Sequence, residues 1–387
     1  MIKKIQIERF KSLRRTPLLE LGKVNLLTGA NGRGKSSLFQ VFLTLSQTWE
    51  NKQAMNSLLT NGKWVDLGLY ADVHNVYDAD TSIVFHIVTN NEGDNEFWLK
   101  YDRSNLKPTL IELSDAKVNG NSIFDSSGNT MGDFNSDFSS DFNISLSQLN
   151  DYPSLISLRH IHYIAADRKT AQYHEPMDES AVDLTPDGSN VLSVLWNNRN
   201  QGIIDEVEHV MDNILDGSSF HIEPQANELV FTLNSAKDDV LFQPINVGYG
   251  HGYILSVITA LAIAKEEDTL IIENPEAHLH PAAQAKLMNV IIDYAIKKRI
   301  QVFVETHSDH ILNTSLLAVK NSNIDLSVED MQVLFFSGHR GEDGHYESSV
   351  QNLEITQEGH ILNPPQQFFE QYAMDLRDLY SSNRKRR

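Results

Sequence analysis

Apolar positions alternate between two spacings along this chain, and the switches between them outline its elements. IKKIQIE (2–8) and VNLLT (24–28) carry the short period of strands, while SSLFQVFLTLSQTW, from Ser36 onward, spaces its apolar residues helically. The start therefore reads strand, glycine-rich loop, helix. Across 64–113 the pattern changes to short β-branched and aromatic segments, SIVFHIV, EFWLKY and TLIEL, separated by Asn, Asp and Gly, which predicts an antiparallel lobe. Residues 114–150 are dominated by Ser, Asn and Asp and read as a mobile loop or partly ordered insertion. Phe134, Phe138 and Phe142 recur there at helical spacing, either as a docking stripe for a partner or as rings folded back onto the lobe. HIHYIAA (160–166) predicts a strand, 189–215 helix, and SFHIE with LVFTL a strand pair. ILSVITALAIA reads as an apolar helix or buried helical core, TLIIE (269–273) as a buried strand, AAQAKLMNVIIDYAIKK as an amphipathic helix, and IQVFVET (300–306) as another buried strand. That alternation across 245–320 implies a parallel sheet covered on both faces. There is no internal repeat and no long heptad segment.

Composition narrows the classes. The 387 residues include 41% hydrophobic and 22% charged positions, ordinary for a globular chain. There are no cysteines, which excludes disulfides, thiolate zinc sites and a cysteine nucleophile. MIKKIQIERFKSL lacks the apolar run of a signal peptide, and no window approaches the roughly 18 apolar residues of a membrane span. The expectation is a cytoplasmic protein without membrane contact. A formal net charge of −20 repels nucleic acid over most of the surface, so it does not support DNA as a partner. The dense basic run NRKRR at the end reads as a solvated tail.

Candidate chemistry begins in GANGRGKSS. Gly29, Gly34, Lys35 and Ser36 satisfy G-x-x-x-x-G-K-[ST] between a predicted strand and helix. Backbone N–H groups of Gly29, Ala30, Asn31, Gly32, Arg33 and Gly34 and of the helix start at Lys35, Ser36 and Ser37 suit phosphates. Lys35 adds a point charge for the β- and γ-phosphates, and the Ser36 hydroxyl a ligand for Mg²⁺. In TLIIENPEAHLHP, four apolar residues deliver Glu273 to a strand end, where an acid can complete the Mg²⁺ shell. In VFVETHSDHIL a second buried strand ends at Glu305, Thr306 and His307, placing His307 to sense the γ-phosphate. Gly248, Gly250 and Gly252 of NVGYGHGYILS precede an apolar helix and mark a second candidate phosphate-binding helix start.

In this order the stretches GANGRGKSS, VGYGHG, IIENPEAHLHP and ETHSDHIL resemble the ATP-binding-cassette superfamily, and within it the AAA-annotated OLD-family and Septu antiphage-defence ATPases of bacteria. KWVDLGLYADV and NPPQQFFEQYAMDLRDL are weaker echoes. The resemblance implies an α/β fold: an ABC-ATPase-like head with a mostly parallel sheet flanked by helices, plus an antiparallel β lobe and a helical subdomain. It divides the chain into 1–63 and 245–387 as the two parts of the ATPase core, 64–165 as the lobe, and 166–244 as a helical/β subdomain. It further implies ATP and Mg²⁺ as cofactors and a head-to-head homodimer, each ATP lying between one subunit's P-loop and the other's VGYGHG segment. Two departures stand out. The position after the strand-end acid, where the superfamily carries a catalytic glutamate, is Asn274, which cannot act as a general base. Glu276 is the next carboxylate and, with His307 and Glu273, completes the candidate catalytic set of a weak ATPase. The VGYGHG segment also lacks the serine usual before its glycines.

Other readings fall away or stay open. His278, His280, His307 and His310 have carboxylate neighbours and an HLH spacing that zinc would accept, but the resemblance gives these positions structural or sensor roles. Arg168, at the end of YIAADR, reads either as a buried salt bridge or as a contact to nucleotide or partner. A transporter motor lacks its LSGGQ-type signature and Asp-Glu pair, an SMC-type organiser lacks its heptad arms, and an OLD-type nuclease lacks room for a Toprim domain. What remains is an ATP-dependent regulator of a separately encoded effector, such as a nuclease, in antiphage defence. The alternative is a compact RecF-like DNA-associated clamp in repair.

Overall fold

The computed structural model describes residues 1–50, 57–90, 94–105, 110–122, 158, 160–234, 240–341, 344–365 and 368. Its central element is a six-stranded sheet in the order Tyr346–Leu353, Met331–Arg340, Val24–Gly29, Gln301–Glu305, Thr269–Glu273, Ile161–Ile164. Neighbours run parallel except in the hairpin of the first two. Such strands have no polar face to show, which is why TLIIE and QVFVE read as continuous apolar runs rather than alternating ones.

The two faces bury different layers. Val24, Leu26, Leu270, Ile272, Val302 and Val304 point toward the helices Val191–Asn197, Ile203–Leu215, Tyr249–Ile263, Pro281–Lys297 and Asp309–Lys320. Leu27, Ile271, Phe303 and Leu334 point the opposite way, onto the helix Lys35–Glu50 and a second, antiparallel sheet. In that sheet Ile2–Phe10 lies between Leu13–Arg15 and Ile83–Asn90, followed by Asp94–Arg103, Ile111–Val118 and Asn121–Ser122. The loop helix is thus clamped between two sheets, with Phe42 packed on Phe303 at a ring separation of 4.9 Å. The chain has the expected α/β architecture, a mostly parallel sheet flanked by helices, with an antiparallel lobe and a helical layer.

Several expectations change in detail. Residues 114–122, assigned above to the polar insertion, continue the antiparallel sheet, where Ala116 and Val118 are buried opposite Leu99 and Phe97. Phe134, Phe138, Phe142 and NRKRR lie outside the described residues, as does the rest of 123–150. The divisions at 63 and 165 do not follow the sheets. Ile2–Phe10 pairs with Ile83–Asn90 of the lobe, whereas Ile161–Ile164 pairs with Thr269–Glu273 in the parallel sheet. The helical stretch 189–215 breaks at Gly202, whose φ of 75° interrupts the turn before Ile203–Leu215. Among the described residues no helix is long and apolar enough to cross a membrane.

Phe303 is fully buried at the centre of the layer between the two sheets. Phe303→Ala should lower the unfolding free energy by about 3–5 kcal/mol, measured as a shift of the urea midpoint at unchanged slope.

Candidate active site

Parallel strands end together, so the C-terminal edge of the sheet gathers three segments that are far apart in sequence. Val24–Gly29 delivers the loop. Gln301–Glu305, its hydrogen-bonded neighbour, delivers Glu305, Thr306 and His307, and Thr269–Glu273, one strand further, delivers Glu273. The loop strand is held against Met331–Arg340 at its other side, and this contact explains its first glycine. Gly29 has φ of 131°, and a Cβ there would stand 2.0 Å from the Phe336 carbonyl oxygen. At Gly34, with φ of 94°, a Cβ would press on Leu13 and Ser12 at 3.1 Å. The G-x-x-x-x-G spacing therefore serves the loop's own packing as well as any phosphate.

Lys35 opens the helix and folds back over the loop. Its Nζ donates to the carbonyl oxygens of Gly29 at 2.9 Å and Ala30 at 3.1 Å, and lies 3.6 Å from Glu305 Oε1. The side chain is only 3% exposed. Burial pushes its pKa down, with Glu305 and Glu273 pulling the other way. The Ser36 hydroxyl donates to Glu305 Oε2 at 3.3 Å. The parallel register sets Glu273 directly beside Glu305. Glu273 accepts from the Tyr163 hydroxyl at 3.2 Å and the Ala166 N–H at 3.1 Å. Its carboxyl is pushed above the ordinary range by burial and then by Glu305.

A turn follows Glu273. Asn274, at φ of 44°, sits in the left-handed region that asparagine tolerates, and its backbone N–H donates to the Glu305 carbonyl at 2.9 Å. Its side-chain Oδ1 is buried without a hydrogen-bond partner among the described residues. Glu276 Oε1 accepts from the Thr306 hydroxyl at 2.7 Å and the His307 backbone N–H at 2.9 Å, whereas its Oε2 is buried and unpartnered. His307 is held below the ordinary histidine range by burial and then by the Lys35 charge, which leaves its ring neutral at pH 7.

The glycines of VGYGHG separate into two kinds. Gly250 and Gly252 are buried within the helix Tyr249–Ile263, where a Cβ would meet the His278 carbonyl oxygen at 2.9 Å and Thr170 at 2.8 Å. They let this helix lie close against its own chain. Gly248 alone is exposed, at the N-cap. His280 Nδ1 accepts from the Ala282 N–H at the start of Pro281–Lys297, and the His278 ring lies tilted against Tyr253 with ring centroids 4.5 Å apart. Among the described residues no group of three or more His, Cys, Asp or Glu is arranged to hold a metal. A Mg²⁺ that takes most of its oxygens from phosphate and water needs less, and the hard oxygens of Ser36, Glu273 and Glu305 fit it.

The site thus brings Lys35, Ser36, Glu273, Glu276 and His307 together, and adds what sequence reasoning left out of the set. Glu305 is the carboxylate in contact with both Lys35 and Ser36. Its signal was available, because QVFVE repeats the apolar-run-then-acid pattern of TLIIE. Among the described residues Arg168 forms no ion pair and donates to backbone carbonyls.

Residues 24–313 match the family described as an AAA domain, putative AbiEii toxin of a type IV toxin–antitoxin system. The chain belongs to that family. Residues 326–379 match a second family, described only as a protein of unknown function. No curated protein matches this AAA-domain chain. Among solved structures it is similar to an SMC head bound to the C-winged helix domain of ScpA, 14% identical over 91% of this chain and 98% of that one, with a TM-score of 0.52. It is also similar to an SMC head domain with an extended coiled coil, bound to the C-terminal domain of ScpA derived from Pyrococcus furiosus. That match is 13% identical over 98% and 99% of the two chains, at a TM-score of 0.53. At these identities the likeness shows the fold. This AAA-domain chain shares its fold with SMC heads.

Folded, Glu273 holds its proton more tightly than in the unfolded chain, so stability falls as pH rises from the ordinary carboxylate range through its raised pKa. Glu273→Gln removes that loss. The melting temperature of the nucleotide-free variant should gain on wild type as pH rises above the ordinary carboxylate range, and a difference that stays constant with pH would contradict the assignment.

Proposed function

We propose that this ATPase is a slow nucleotide-dependent switch whose two copies close around ATP·Mg²⁺ and thereby control a separately encoded effector. The observation that carries the reading is the cluster at the sheet edge. One buried lysine lies across a glycine loop, facing two aligned carboxylates and a serine hydroxyl. Lys35 and the N–H groups of residues 29–37 would bind the phosphates, while Ser36, Glu273 and Glu305 would hold Mg²⁺. The bound ion neutralises phosphate charge.

Slow turnover follows from what stands behind the acids. Asn274 offers no base, and Glu276 already has one oxygen engaged by Thr306 and His307. To orient water, Glu276 must present Oε2, beside the neutral imidazole of His307. Closure of two copies is supported by the start of the helix Tyr249–Ile263. Tyr249 is 66% and Ile245 81% exposed there, next to Val240, Leu241 and Phe242, an apolar run that a second copy would cover together with Gly248. A toxin–antitoxin family description fits a chain that acts with a separate partner, and the resemblance to antiphage ATPases supplies the setting.

Purified protein should turn over ATP on the order of once per minute or slower, against about 10 per second for a typical enzyme. Lys35→Ala should abolish both this activity and the rise in melting temperature that ATP·Mg²⁺ produces. Turnover of several ATP per second, lost with Lys35→Ala, would overturn the switch reading. Native mass spectrometry of the chain co-expressed with its genomic neighbours should find a stoichiometric second protein. A homodimer alone with salt-sensitive DNA binding would favour the clamp instead.

A further inference from the structure

Arg168 is the bulkiest side chain that the described fold buries completely, at 1% exposure. A buried guanidinium ordinarily pairs with a carboxylate, because an uncompensated charge inside a protein is costly. Here all its hydrogen bonds go to backbone carbonyls from three segments. Nε donates to Tyr253 at 3.2 Å, Nη1 to Ala165 at 3.2 Å and Glu273 at 2.8 Å, and Nη2 to Asn274 at 2.9 Å. Burial pushes the guanidinium down to about 10, opposed by the charge of Glu276 first, and it stays protonated at neutral pH.

Three of these carbonyls belong to the helix Tyr249–Ile263 and to the strand end Glu273–Asn274. Tyr253 lies one turn into the helix whose exposed start is Gly248–Tyr249, and Glu273 and Asn274 form the acid-bearing strand end. The same two parts touch a second time. Arg168 lies over the Tyr253 ring at 5.4 Å, that ring meets His278 in a tilted contact at 4.5 Å, and His278 meets Tyr249, also tilted, at 5.9 Å. A Cβ at Gly250 would stand 2.9 Å from the His278 carbonyl oxygen, so the helix packs directly against the turn that carries Glu276. Glu276 in turn binds Thr306 and the His307 N–H.

We propose that Arg168 is a positioning residue that couples the helix Tyr249–Ile263 to the strand end Glu273–Asn274, so that a partner docking at the helix start sets the placement of Glu276 for hydrolysis. The coupling rests on the dimer reading above. It makes hydrolysis at each subunit's own loop depend on what its helix start contacts. The guanidinium's planar fork reaches several carbonyls at once, which a lysine ammonium cannot reproduce in the same geometry.

The test measures ATP turnover per subunit against protein concentration, with sedimentation velocity in ATP·Mg²⁺ on the same samples. In wild type, turnover rises as dimers form. In Arg168→Lys, ATP binding and ATP-dependent dimers should persist while turnover stays flat at the monomer rate, on the order of 10- to 100-fold below the wild-type dimer. His278→Asn, which keeps a residue suited to φ of 62° and lies at the surface, should weaken the rise in the same direction. This second variant decides if Arg168→Lys does not fold. A rise equal to wild type in the folded variants overturns the coupling alone. Loss of binding, dimers and turnover together also overturns it, by making Arg168 a structural residue. A wild type that neither binds ATP nor dimerises overturns the dimer reading and this one with it.

Discussion

The structure turns on the parallel alignment of three strand ends. Val24–Gly29, Gln301–Glu305 and Thr269–Glu273 stop at one edge, and their register puts Glu305 and Glu273 side by side next to Lys35. Burial first, and then the charge of the neighbouring Glu305, hold the Glu273 proton more tightly than usual. Lys35 relieves part of this charge, and a divalent cation with phosphate would relieve the rest. An arrangement that is electrostatically incomplete by itself, on a rigid sheet buried on both faces, is what a nucleotide site requires.

Everything around that edge holds it in place. Phe303 and Phe42 lock the loop helix to the sheet, and the close approach of Gly29 to Phe336 fixes the strand beside it. Tyr163, on the outer strand, donates to Glu273 and is itself driven up in pKa by burial and by that acid. Arg168 ties the back of the acid turn to the helix Tyr249–Ile263 through carbonyl groups. The carboxylates are therefore gripped from the sheet, from the helical layer and from the neighbouring strand end at once. The same contacts join the helix Tyr249–Ile263 to the sheet edge.

Membership of the AAA-domain family and the likeness to SMC heads agree with this geometry, each at its own level. The family match spans the loop strand, the acid strand and the histidine strand, all elements of the edge. The structural likeness concerns the fold, an ABC-type head in which the lobe and the helical layer pack on opposite faces of the sheet.

Much of this was legible in the linear pattern. Short apolar runs of five residues ending in an acid suit strands buried on both faces, and a glycine loop followed by Lys-Ser and helical spacing suits a helix start, because local sterics and burial act within a few residues. That determined the strand–loop–helix start, the parallel core and the strand ends and loop that carry Lys35, Ser36, Glu273, Glu276 and His307. Other features were decided only when the chain folded. The contact of Glu305 with Ser36 spans 269 positions of sequence, and the clamp of Arg168 on Asn274 spans 106. Gly250 and Gly252 look like phosphate ligands in sequence, yet their Cβ space is taken by His278 and Thr170 of the same chain. Ile2–Phe10 joins the lobe because its partner strand begins at Ile83. Local spacing reports which face a residue prefers, but not which distant segment will cover it, and those pairings set the final charge and reach of the site.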